Sequence, residues 1–134
     1  MFAAQSNENP YVLRVLIENG ADVNVVDRNR KTLLIFAAQS NKNPDVIRVL
    51  IENGAEVNAP DEDGWTPLMW AANDNLNPDV MQILIDKGVN VNVVDEGGMT
   101  PLMRAACSNS NPDVLRVLIE NGAKINAPDK GVMF

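Results

Sequence analysis

Asp61, Glu62 and Asp63 stand together in the chain, and adjacent carboxylates are the residue types that share protons in acid–base catalysis or gather round a divalent cation. Either use needs a pocket that perturbs one of them. The neighbours Ala59, Pro60 and Gly64 instead predict an exposed turn with solvated carboxylates. Cys107 is the single cysteine, so no intrachain disulfide and no thiolate metal cluster can form. Histidine is absent, which removes the usual general base, metal ligand and pH switch together. Cys107 therefore lacks the base that a papain-like nucleophile needs, and it reads as a structural thiol near the end of a helix. Gly97-Gly98 is too short to cradle a phosphate and no lysine follows it. These residues predict no enzyme, no metal site and no cofactor.

The elements that carry these side chains follow from periodicity. Asn-Pro occurs at 9–10, 43–44, 77–78 and 111–112, always 34 residues apart. In the same register fall Asn7, Asn41, Asn75 and Asn109, and Gly20, Gly54, Gly88 and Gly122. Asn24, Asn58, Asn92 and Asn126 follow, then Asp27, Asp61, Asp95 and Asp129. A shorter rhythm is superimposed, Val25-Val26 and Val93-Val94 alternating with Ala59-Pro60 and Ala127-Pro128, as duplication of a two-repeat block would leave it.

Each unit reads as two short helices and a turn. Asn77 is placed to cap the second helix, Pro78 to occupy its first position and Asp79 to meet the positive end of the helix dipole. Val80, Ile83 and Leu84 recur at helical spacing as the buried stripe, with Gln82 and Asp86 towards water. Gly88 ends the helix in the left-handed conformation. The first helix is Thr66-Pro67-Leu68-Met69-Trp70-Ala71-Ala72, matched by Thr100-Pro101-Leu102-Met103-Arg104-Ala105-Ala106, with alanines that let neighbouring repeats approach. Stretches such as Val91 to Gly98 predict hairpin-like turns between units. Helices this short do not persist alone in water, so stacking must hold them.

Thr-Pro-Leu, Ala-Ala, Gly-Ala-Asp-Val-Asn and Asp-x-x-Gly together resemble the ankyrin repeat, over essentially all 134 residues. The resemblance implies an all-α solenoid of helix–turn–helix repeats with hairpin-like turns, forming one domain. Its expected boundaries are a partial repeat at 1–28, repeats at 29–62, 63–96 and 97–130, and the start of another at 131–134. Two departures stand out. Ile35, Met69 and Met103 occupy the position of the family's histidine. The loop between the helices is one residue longer, and Asn75 is expected to take the left-handed conformation of the family's glycine there. The Asn-x-Asn-Pro ladder reads as structural on that basis, and Asn24, Asn58 and Asn92 as bridges between turns.

The resemblance also implies protein binding through a concave surface of turn tips and first helices. Carried over to the non-consensus positions, it selects Arg28, Arg30, Lys31, Glu62, Asp63, Trp65, Glu96 and Met99 on turns. On or just after first helices it selects Phe36, Trp70, Asn73, Asp74, Arg104 and Ser108. Trp65 and Trp70 are the expected anchors, since tryptophan and arginine are enriched at binding hot spots. Trp65 is expected to be exposed, and Trp70 either recognises a partner or packs between first helices. Arg30 replaces the glycine of Gly64 and Gly98, which predicts a first turn of different shape.

The formal net charge of −7 disfavours nucleic acid and anionic membrane, and points to a partner with a neutral or basic surface. The acidity is concentrated between residues 35 and 102; the flanking stretches nearly balance. The opening residues lack the charged and apolar regions of a secretory signal, and no apolar run approaches a membrane span, so a reducing, cytoplasmic setting is the default expectation. Phe2, Val132, Met133 and Phe134 suggest ends without polar caps. That raises an alternative role, a structural segment of a longer array, with head-to-tail self-association of copies.

Overall fold

A computed structural model of the chain describes residue 4 and residues 7–125. Phe2, Val132, Met133 and Phe134 lie outside the described residues, as do Asn126 and Asp129. Within them run α1 (Pro10–Glu18), α2 (Leu33–Ser40), α3 (Pro44–Glu52), α4 (Pro67–Asp74), α5 (Pro78–Asp86), α6 (Pro101–Ser108) and α7 (Pro112–Glu120). None of these helices is long and apolar enough to cross a membrane.

Local chemistry sets both ends of each helix. Asn9, Asn43, Asn77 and Asn111 cap α1, α3, α5 and α7, each accepting the backbone N–H two residues on at 3.0 Å. Thr32, Thr66 and Thr100 cap α2, α4 and α6, accepting from Ile35, Met69 and Met103 at 3.1, 3.4 and 3.2 Å. Those three side chains lie in the core, where a histidine would need a polar partner. Gly54 and Gly88, with φ near +97° and +94°, reverse the chain after α3 and α5.

The helices form two layers. First helices α2, α4 and α6 stack side by side, second helices α1, α3, α5 and α7 stack behind them, and each pair packs internally. Between the layers Leu34, Leu68, Val46, Val80, Leu50, Leu84 and Leu118 are fully buried, each contributing about 2 kcal/mol by leaving water. Ala37, Ala38, Ala71, Ala72 and Ala105 are also fully buried, so first helices meet almost backbone to backbone. Met81 joins the core beside the expected Val80, Ile83 and Leu84.

The Asn-x-Asn ladder corrects one expectation. Asn41, Asn75 and Asn109 have φ of −90°, −87° and −91°, extended rather than left-handed. Their side chains clamp the repeats. Asn75 Nδ2 donates to Ala38 O and Asn41 O of the preceding repeat, both at 2.9 Å, while its Oδ1 accepts from Asn77 N. Asn109 repeats this on Ala72 and Asn75, and Asn77 Nδ2 adds Lys42 O at 2.8 Å. Carbonyls orphaned at the end of one first helix are thus satisfied by the next repeat. Asn24 and Asn92 do the same between turns, through Gly54 O and Gly122 O.

The turns carry a second correction. Arg30 does not reshape the first turn: it adopts φ +63°, close to the +79° of Gly64 and Gly98. In all three turns the aspartate N–H bonds the backbone oxygen four residues on, at Lys31, Trp65 and Met99, and the N–H of Arg30, Gly64 or Gly98 returns to the aspartate oxygen. That ring of hydrogen bonds imposes the left-handed backbone, at a cost to a residue with a Cβ of about 1–2 kcal/mol. Val26 and Thr32 form an isolated antiparallel bridge at the base of the first turn.

Candidate functional site

Phe36, Trp70 and Arg104 are each the fourth residue of a first helix, 34 apart and half-buried on one face. Lys31, Trp65 and Met99 precede the capping threonines and are also half-buried. The stacking of α2, α4 and α6 brings five of these six side chains into one column. The Lys31 ammonium lies 5.3 Å from the Phe36 ring centroid and 3.9 Å from that of Trp70. The Trp70 and Trp65 rings are 4.5 Å apart with their planes tilted by 46°, and the Arg104 guanidinium lies 4.2 Å over Trp65. Two cations thus flank a tryptophan pair, each on the electron-rich face of a ring.

Buried aspartates hold the column. Asp61 Oδ2 accepts the Trp70 indole N–H at 2.8 Å, and Oδ1 accepts the backbone N–H groups of Asp63 and Trp65 at 2.9 and 3.0 Å. Asp95 accepts N–H groups of Gly97 and Met99, and its other oxygen takes Nε and Nη2 of Arg104 at 3.1 and 2.5 Å. Asp27 accepts from Asn29 and Lys31 in the same way, and Phe36 offers it no donor.

Two expectations are overturned here. Asp61 is not on an exposed turn; it is 6 % exposed, with both oxygens committed, while Glu62 and Asp63 beside it are exposed. Trp65 is half-buried rather than fully exposed, with the Trp70 ring and the Arg104 guanidinium packed against it. For Trp70, packing between first helices describes its ring and a hydrogen bond its indole edge, which leaves a half-buried surface outward.

Around the column lie exposed polar groups. Arg28 and Arg30 occupy the tip of the first turn, Glu62 and Asp63 the second, Glu96 the third. Further along the helices Lys31 Nζ donates to Gln39 Oε1 at 3.3 Å, and Gln39 Nε2 to Asp74 Oδ2 at 2.9 Å. Asn73 Nδ2 reaches the other Asp74 oxygen at 2.6 Å. Ser108 and Cys107 sit at the end of α6, exposed and apart from the column; the thiol is not a core group.

Sequence reasoning missed Asp61, Asp95 and Gln39 as parts of this face. The aspartates carried a signal: they recur at the 34-residue period, nine residues before Trp70 and Arg104. Gln39 stands in register with Cys107 and with Asn73, which was among the selected positions, so the signal lay in the neighbouring repeat and was not extended to it.

The model of a family described as ankyrin repeats (3 copies) matches residues 1–95 and 42–129. No curated protein gives a match.

Proposed function

The chain belongs to the ankyrin repeat family, and on that premise we propose that it recognises another protein, without catalysis, through its turn and first-helix face. Repeats of this family generally serve as protein–protein interaction modules. The observation that carries the reading is the column from Phe36 to Arg104. Three successive repeats contribute to it, at positions where their residues differ, and its aromatic and guanidinium groups are the types that anchor interfaces. Hydrogen bonds to Asp61 and Asp95 fix the side chains beforehand, so little rotamer freedom is left to lose on binding. The exposed Glu62, Asp63 and Glu96 around it suit a neutral or basic surface.

Charge reversal tests this without touching the core. Glu62→Lys with Glu96→Lys is expected to weaken partner capture at least tenfold, while Glu120→Lys on the second-helix side leaves it unchanged. Equal capture by all three proteins would overturn the reading.

One observation favours a second reading, head-to-tail stacking of copies. Leu16 on α1 is 48 % exposed, whereas Leu50, Leu84 and Leu118, at the same place in later repeats, are fully buried. Beside it an apolar cavity of about 220 Å³ is lined by Leu13, Leu16, Ile17, Val25 and Leu33. Light scattering across a concentration series decides: mass that climbs supports stacking, and a constant monomer removes it.

A further inference from the structure

The three turn tips share the same backbone hydrogen bonds, and the first is opposite in charge to the other two. Arg28 stands in register with Glu62 and Glu96, and Arg30 with Gly64 and Gly98. Arg28 and Arg30 are exposed, and among the described residues neither forms an ion pair. Arg30 is also, among the described residues, the one non-glycine at positive φ, held where its sister turns use glycine. Arg30 is held in an unfavourable backbone conformation at an exposed tip, and its charge is what glycine would lack there.

The geometry points to a use for that charge. Arg30 borders a cleft of about 300 Å³ between the first and second turns, whose walls include Val26, Thr32, Glu56, Ala59 and Pro60. The two turns are tied by the Glu62 N–H to Asn29 O bond at 2.9 Å, so the cleft is pre-formed. We propose that Arg28 and Arg30 hold carboxylates of an acidic segment of the partner protein, with a small apolar side chain of that segment seated on Val26, Ala59 and Pro60. Guanidinium groups take carboxylates through paired N–H donors, which gives direction as well as attraction. Glu56 also lines the cleft, and its charge disfavours a second carboxylate beside it. The inference rests on the recognition face described above and adds polarity to it: the partner is acidic where it meets the first turn and basic or neutral along the second and third.

The test uses the full chain and a terminally blocked peptide, Glu-Val-Glu-Val-Glu-Val, with its Gln-for-Glu counterpart and inorganic phosphate as comparisons. Arg30→Gly is informative because it relieves the backbone while removing the charge. Amide NMR shifts from the acidic peptide are expected on residues 26–31 and 56–62, weakening with added salt. Affinity is expected to fall about fivefold in Arg30→Gly and more than tenfold in Arg28→Gln with Arg30→Gly, with the Gln peptide equally weak against the wild type. Unchanged affinity in Arg30→Gly, shifts elsewhere, or equal binding of the Gln peptide would overturn the proposal. Equal shifts from inorganic phosphate would overturn its commitment to an acidic peptide. A partner lost on charge reversal at Glu62 and Glu96 yet indifferent to Arg30→Gly sinks this inference alone and leaves the wider reading standing.

Discussion

The indole N–H of Trp70 donates to the buried carboxylate of Asp61 at 2.8 Å, and one repeat later Arg104 reaches Asp95 from the same place. An aspartate that first shapes a turn, through two backbone N–H groups, thus also sets the side chain nine residues on. In the second and third turns the turn geometry and the side-chain column are coupled through one carboxylate, a link that Phe36 cannot make to Asp27.

Removing Arg104 exposes that coupling. Arg104→Ala leaves Asp95, whose side chain is 1 % exposed, with backbone donors and no guanidinium, and the expected loss is about 2 kcal/mol. Trp70→Phe keeps a ring over Lys31 but drops the N–H, for about 1 kcal/mol. Urea denaturation reads both; an unchanged midpoint for Arg104→Ala would show that the pair holds nothing in place.

Asn75 offers a sharper contrast. Asn75→Ala removes two donors to the preceding repeat and the acceptor for Asn77 N, at an expected cost of about 2–4 kcal/mol. Asn75→Gly is expected to be as damaging, since φ of −87° gives glycine no advantage. Thermal unfolding of the two variants separates the clamp from a left-handed role, for which glycine would restore stability.

At the turns, Gly64→Ala puts a Cβ at φ +79° and 3.4 Å from Glu96 Cγ, and about 1 kcal/mol of stability is expected to be lost. Arg30→Gly moves the other way, from no change to a gain of about 1 kcal/mol, because relief of the backbone is offset by a freer unfolded chain. Denaturant midpoints compared side by side check the opposite signs.

These contrasts mark what the sequence held. Helix positions and caps were legible in Asn-Pro, Thr-Pro and the glycines, because caps are local chemistry repeated at a fixed period. The clamp by Asn75 was not, since an asparagine satisfies a left-handed turn or a neighbour's carbonyls equally well, and only stacking supplies Ala38 O and Asn41 O. Arg30 misled in the reverse sense: its preference implied a new turn shape, and the hydrogen bonds around Asp27 overrode it. Lys31, Phe36, Trp65, Trp70 and Arg104 were all among the expected binding positions. Their order in the column, and the burial of Asp61 beneath it, came from the contact between repeats.

Stability is expected to vary along the stack. Leu50→Ala empties a fully buried site, for about 3 kcal/mol, whereas Leu16→Ala at 48 % exposure should cost less than about 1 kcal/mol. Amide hydrogen exchange in the unmodified chain gives the same gradient residue by residue, with α1 opening before α4 and α5.

The most direct test of the central claim is site-specific photocrosslinking to the bound partner. A photoreactive residue replaces Glu62 or Met99 on the turn and first-helix face, or Arg14 or Arg116 on the second helices. Crosslinks from 62 and 99, and none from 14 and 116, are the predicted result. Crosslinks confined to 14 and 116 would contradict it and move recognition to the opposite face.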